Sequence, residues 1–263
     1  MVHRFYIPPE HWNRDVLTLS KAEEHHARDV LRMKRGDKLV LFNGRGREMT
    51  AEIVDLDRGE IQLRKLHEAE TPPLRCRIVL GQAIPKGKNM ELIVQKAVEI
   101  GAAEIAPIVS DRTVVHVDLE SAAQKRAKWQ QIAIEAAKQC GQNWLPHVHA
   151  PSKLADFFDA AIGLQSVQAS NIEMPITFDL RLIGSLQPDA QHLKKILADY
   201  SSEYQRRPES VLMLIGPEGD FTPAELALAR RQGCRPITLG PIILRVETAA
   251  IYCLSILSYE LLM

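Results

Sequence analysis

Cysteine is scarce in this chain: Cys76, Cys140, Cys234 and Cys253 stand far apart and form no CxxC pair. That spacing argues against a disulfide framework and against the common zinc patterns, and it leaves reduced thiols packed in apolar surroundings. His116, His147 and His149 have no zinc-type spacing with a cysteine either, so they read as surface or loop residues and no metal is expected. Net charge is absent as well, with 33 basic residues against 33 acidic ones. The global balance therefore gives no sign of nucleic-acid binding. No apolar run approaches the roughly 20 residues needed to span a bilayer. The opening residues, MVHRFYIPPEHW, have no apolar stretch typical of a signal peptide, so the expected address is the cytoplasm, with no membrane partner. Neither GxGxxG nor a Walker motif is present, which disfavours a classical dinucleotide or nucleoside triphosphate enzyme.

What is present is an ordinary globular balance, 46% hydrophobic and 25% charged, over 263 residues. That length is comfortable for two domains. One composition shift stands out, EAETPPLR at 68–75, where Pro72-Pro73 stiffens the chain and disfavours helix. A boundary there gives domains of 1–71 and 74–263.

The first domain reads as mostly β. Lys38 to Phe42 alternates, Asn43-Gly44-Arg45-Gly46 supplies turn chemistry, and Glu48 to Leu56 continues as a strand. Asp57-Arg58-Gly59 is a second turn before Glu60 to Leu66. Ser20 with Glu23 three residues later has the pattern of a capping box opening a short helix. The expected product is a small barrel with one helix.

The second domain alternates strands and helices. Arg77 to Gln82 reads as a buried strand, and Met90, Ile93, Val94, Ala97 and Val98 mark a helical stripe ended by Gly101. Ile105 to Val109 is strand-like, and Ser121 to Cys140 is a long helix in which Trp129 reads as packing. Val211 to Ile215 suits a central parallel strand. Thr222, Pro223, Glu225 and Gly233 punctuate a helix, Ile237 to Leu239 is a short strand, and Glu247 to Leu262 a final apolar helix. Such alternation predicts an α/β domain with a mostly parallel sheet, whose ligand sits beyond the carboxyl ends of the strands.

Two loops occupy that position: Gly216-Pro217-Glu218-Gly219-Asp220 and Leu239-Gly240-Pro241-Ile242-Ile243-Leu244-Arg245. Their glycines let backbone approach a ligand, although Gly-Pro turns also simply connect strand to helix. A basic cluster hides within the neutral whole. Between His25 and Arg47, Arg28, Arg32, Lys34, Arg35, Lys38, Arg45 and Arg47 face only Asp29 and Asp37. Clustering of that kind is enough for phosphate contacts, and Lys86 and Lys88 extend it into the second domain.

Taken together, LMLIGPEGDFTPAELALARRQGCRPITLGPIILRVETAA at 212–250 resembles the SPOUT superfamily of RNA methyltransferases. In particular it is similar to the 16S ribosomal RNA uridine-N3 methyltransferases, with their apolar strand, GPEGG, capped helix and LGxRILRxETA. His25-His26, Val30 to Met33, Leu41 to Gly44, Gln95 to Gly101 and Glu135 to Gly141 also correspond, so the likeness spans almost the whole chain. It implies a small PUA-like β-barrel that binds RNA (1–71) and an α/β methyltransferase domain (74–263) with a trefoil knot. It implies S-adenosylmethionine as cofactor, 16S ribosomal RNA or the small ribosomal subunit as partner, and a homodimer. Cofactor contacts would fall on Leu214, Gly216, Glu218, Gly219, Leu239, Gly240, Ile243 and Leu244, largely through backbone. RNA contacts would fall on Arg28, Arg32, Lys34, Arg35, Arg45 and Lys86.

Uracil N3 carries a proton at neutral pH, so its methylation calls for a base or an anion-stabilising group. Arg245 is the candidate for stabilising negative charge on the base. Glu247 is the candidate for removing the proton or orienting Arg245, against the plainer reading of an acid favoured in a helix's first turn. Three positions depart from the family pattern. Asp220 replaces a glycine, which is tolerable if the position avoids the left-handed region; Ile242 and Gln142 replace arginines. These keep two alternatives open: a methyltransferase of this fold with another RNA target or a ribose 2'-O site, and a non-catalytic RNA-binding or ribosome-assembly protein.

Overall fold

The computed structural model describes residues 2–12, 19–56, 61–113, 118–163 and 178–263. The turn expected at Asp57-Arg58-Gly59, and His116, lie outside the described residues. The chain divides into two compact units, Met1–Pro73 with Ala133–Pro146, and Leu74–Ile132 with His147–Met263. Residues 133–146, which the sequence reading gives to the second domain, thus pack with the first. Buried Asn143 is the reason: its side-chain amide donates to Glu48 Oε2 and Thr71 Oγ1, both at 2.9 Å, and its backbone carbonyl accepts from Gly46 N.

In the first unit β1 (His3–Tyr6), α1 (Pro9–Trp12), α2 (Lys21–His25), a π-helical segment (His26–Val30), β2 (Lys38–Phe42), β3 (Arg47–Asp55) and β4 (Gln62–Glu70) follow in order. The strands form one sheet, β1-β2-β3-β4, parallel at β1/β2 and antiparallel beyond. Alternate residues turn inward, Leu39 and Leu41 from β2 and Met49, Ala51 and Ile53 from β3, onto Phe5, Ala27 and Ile61. Each buried Leu, Ile or Phe stabilises this small core by about 1.5–3 kcal/mol. Ser20 caps α2 by accepting from Glu23 N at 3.3 Å. The capping box is only half made, because the Glu23 carboxylate pairs with Lys138 instead, at 3.0 Å.

The second unit holds β5 (Arg77–Ala83), α3 (Asn89–Ile100), β6 (Glu104–Val109), the start of α4 (Leu119–Cys140), β7 (His147–Val148), β8 (Ser152–Lys153), α5 (Leu154–Gly163), β9 (Leu180–Gly184), β10 (Gln191–His192), α6 (Leu193–Tyr204), β11 (Ser210–Ile215), α7 (Pro223–Arg231), β12 (Arg235–Thr238) and α8 (Val246–Leu261). Its strands pair in parallel in the order β10-β12-β9-β11-β5-β6-β7, with β8 also on β6. Central β11 is buried from Val211 to Ile215, as a strand covered on both faces must be. Beside it in the sheet Gly81 of β5, in register with Leu214, makes room for that side chain, since a Cβ at 81 would lie 2.4 Å from Leu214 Cδ2. Helix α7 carries the full capping box of Thr222 and Glu225. Helix α3 ends at Gly101, whose φ of 94° needs glycine. Strand β9 has no clear signature in the sequence, although it stands beside β11 in the centre of the sheet.

Three of the four cysteines, Cys76, Cys234 and Cys253, are buried, and burial pushes each thiol up to about 12. Cys140 is exposed, against the expectation of apolar packing for all four. Trp129 is buried. His149 lies in a loop, half-buried, and pairs with Glu104, with Nε2 to Oε2 at 2.7 Å.

Candidate active site

At the carboxyl ends of β9, β11 and β12 three loops enclose a cavity of about 480 Å³. That is the size of a small-molecule site. The first loop leaves β11 at Ile215. Its Asp220 amide donates to Pro217 O at 2.9 Å, closing a turn in which Asp220 has a φ of 61°. The condition under which the sequence makes Asp220 tolerable, a conformation outside the left-handed region, is therefore not met. Aspartate is tolerated because its short carboxylate bonds locally, with Oδ1 accepting from Phe221 N at 2.7 Å. Buried Phe221 and the capped α7 then anchor the loop. Gly216 is a close-approach position, for a Cβ there would meet Asp220 Oδ1 at 3.1 Å and Phe221 N at 3.2 Å.

The second loop runs from Leu239 into α8. Gly240 is required by its φ of 108°, and nothing lies within 4 Å of the space its Cβ would take. Ile242 and Ile243 are exposed at the rim, and Arg245 is the exposed N-cap residue of α8. The third loop, Gly184-Ser185-Leu186 after β9, is absent from the sequence reading. Its only sequence signal is the Gly-Ser pair that ends a short apolar run.

Of the expected cofactor residues, Gly216, Glu218, Leu239, Gly240, Ile243 and Leu244 line the cavity, together with Arg245 and Glu247. Leu214 and Gly219 do not. The Leu214 side chain is buried in the core, and the Gly219 carbonyl accepts from the Arg112 guanidinium. Glu247 accepts from Asn89 Nδ2 at 3.3 Å, so the partner the structure gives it is Asn89 of α3 rather than Arg245. The lining carries Glu218, Asp220 and Glu247 against the single cation Arg245. An excess of acid over base favours a ligand with positive charge, and Ile215, Leu239 and Leu244 offer an apolar wall.

In the first unit Arg32, Lys34, Arg35 and Arg45 are exposed while Arg28 is half-buried; Lys86, in the second, is exposed. The backbone N–H of Lys86 donates to Glu218 Oε1 at 2.9 Å, which ties its loop to the cavity.

Residues 72–258 match the family of the RNA methyltransferase domain, and residues 19–66 match the RNA methyltransferase PUA domain. The chain belongs to the RNA methyltransferase family. Among its relatives, the ribosomal RNA small subunit methyltransferase E of Synechocystis is 31% identical, over 95% of this chain and 75% of that protein. The Bacillus subtilis protein of the same name is 30% identical, over 92% of this chain and 90% of that one. The Neisseria gonorrhoeae methyltransferase E, solved bound to S-adenosylmethionine, superposes with a TM-score of 0.78 at 28% identity, covering 99% of this chain and 98% of that one. A Legionella pneumophila protein assigned as a methyltransferase, also solved with that cofactor, gives 0.81 at 33% identity with 99% and 98% covered. As a family member the chain joins a PUA domain to an α/β methyltransferase domain built on a parallel sheet.

Proposed function

We propose that this chain transfers a methyl group from S-adenosylmethionine to N3 of a uridine in 16S, small-subunit ribosomal RNA, in the cytoplasm. The observation that carries the reading is the acid-rich cavity between the Gly216–Asp220 and Leu239–Arg245 loops at the ends of parallel strands. Its chemistry suits the cofactor, for an apolar wall accepts an adenine face and the carboxylates balance a sulfonium and an ammonium. When bound, the cofactor supplies an electrophilic methyl on that sulfonium. The protein's own contribution is alignment of the acceptor with that methyl, since orientation supplies much of the rate in an in-line displacement. Glu247, held by Asn89, accepts the N3 proton. Arg245, an exposed residue of the cavity lining, stabilises the negative charge left on the uracil oxygens.

The first unit docks the RNA through Arg28, Arg32, Lys34, Arg35 and Arg45; in the second unit Lys86, whose backbone N–H is bonded to Glu218 of the cavity, is a further RNA contact. The trefoil knot belongs to the same reading. It is supported by the chain path, which sets β11 between β9 and β5 and then returns to lay β12 on the far side of β9. A homodimer is supported by the exposed apolar groups of two helices packed together, Leu92 of α3 and Tyr252 and Tyr259 of α8. Ile242 is 73% exposed at the rim where the family pattern has arginine. That position favours, as a second reading, the same chemistry on a different RNA target.

Incubating the chain with labelled cofactor and unmodified small-subunit ribosomal RNA, naked or assembled, tests the proposal. Label fixed in the RNA supports it; a protein that binds the RNA without transferring label is a binding protein of this fold.

A further inference from the structure

The turn at Ser110–Thr113 contributes nothing to the cavity lining, yet it is wired to the loop that does. Glu225 is buried at 8% exposure and accepts four hydrogen bonds. Two come from Thr222 and close the helix cap, N at 2.8 Å and Oγ1 at 2.9 Å. The other two come from a turn more than a hundred residues away, Ser110 Oγ at 3.0 Å and Asp111 N at 3.1 Å. That turn is itself rigid, with Thr113 N on Ser110 O at 2.8 Å and Ser110 N on Thr113 Oγ1 at 3.0 Å. Ser110 Oγ also accepts from Arg112 N at 3.2 Å, and the Arg112 guanidinium reaches out to donate to the Gly219 carbonyl. Gly219 stands between Glu218 and Asp220, which both line the cavity, and Asp220 holds a left-handed conformation that an unsupported loop would relax.

From this geometry we infer that Arg112 is a positioning residue of the cofactor site: braced on Glu225 through Ser110, it holds the Gly216–Phe221 loop in its binding conformation. The inference rests on the cofactor reading given above. A guanidinium fits the role because its planar, permanently charged fork fixes a carbonyl more rigidly than a neutral donor would.

The test compares Arg112→Ala and Arg112→Lys with the wild-type full chain in two ways. Hydrogen exchange of the Asp220 and Phe221 amides is followed with no ligand present, and S-adenosylhomocysteine binding is measured by calorimetry. The brace predicts faster exchange at those amides in Arg112→Ala, with the exchange of α7 unchanged. It also predicts a Kd raised by roughly three- to tenfold, the loss of one charge-assisted hydrogen bond at an exposed position. Methyl transfer should show a raised KM for the cofactor with kcat nearly kept, and Arg112→Lys should recover part of both effects. Unchanged exchange at 220–221 overturns the brace. Faster exchange with wild-type affinity overturns its role in the cofactor site. A wild-type chain that binds no S-adenosylhomocysteine overturns the cofactor reading itself, and the exchange comparison still decides whether Arg112 braces the loop.

Discussion

Replacing Gly216 by alanine probes the cavity with the smallest available perturbation. The added Cβ would sit 3.1 Å from Asp220 Oδ1, 3.2 Å from Phe221 N and 3.3 Å from Asp220 Cα. Two of those atoms are backbone, so no side chain can swing aside and the turn itself must move by a few tenths of an ångström. Overpacking of this kind costs about 1–3 kcal/mol, and a surface loop that can partly yield belongs at about 1–2 kcal/mol. If ligand binding has to restore the original turn, that energy reappears as a Kd for S-adenosylmethionine raised about 5- to 30-fold. Gly219→Ala is the control. Its Cβ would meet only Arg112 Cδ at 3.5 Å, an ordinary contact, and its φ lies outside the left-handed region. Calorimetric titration of both variants, with thermal melts to show that they fold, should find Gly219→Ala close to wild type and Gly216→Ala much weaker. Equal affinities in the two variants would refute the claim that the turn at 216–220 shapes the ligand site.

Glu247→Gln should lower methyl transfer at saturating cofactor by about 10²–10⁴, the usual share of a general base; a wild-type rate makes Glu247 only a first-turn acid. The double change Arg32→Glu, Arg35→Glu should weaken RNA affinity and flatten the salt dependence of log K, by about 0.7–0.9 per lost phosphate contact. At Glu104 burial raises the carboxyl pKa, but the hydrogen bond from His149 and the charge and hydrogen bond of Arg77 outweigh it and hold the group below its ordinary value of 4.5. A depressed folded pKa stabilises fully above the unfolded value and is lost as pH falls through the folded one. Urea midpoints should therefore drop below about pH 4.5 in the wild type and less steeply in Glu104→Gln.

What was legible in the sequence is what local chemistry decides. Thr222, Pro223 and Glu225 announce α7 because a helix cap is written within four residues, and Val211 to Ile215 announces β11 because a doubly covered strand must be apolar throughout. The Gly216 and Gly240 loops follow from those elements. What stayed hidden depends on partners far away in the chain. Glu247 and Asn89 are 158 residues apart, and Asn143 is drawn to the first unit by Glu48, 95 residues away. Likewise Ser20 and Glu23 spell a capping box, but Lys138 claims the carboxylate. The strand β9 escaped because five residues without strong turn signals carry little pattern, and with it went the Gly184–Leu186 wall of the cavity. The conformation of Asp220 is likewise a property of the closed turn and not of its residue type.

The central claim is the identity of the methylated atom. Small-subunit ribosomal RNA treated with this chain and S-adenosylmethionine, digested to nucleosides and resolved by mass spectrometry against standards, reports it directly. The account predicts 3-methyluridine that disappears with Arg245→Ala; a methyl on ribose O2' or on another base would contradict it.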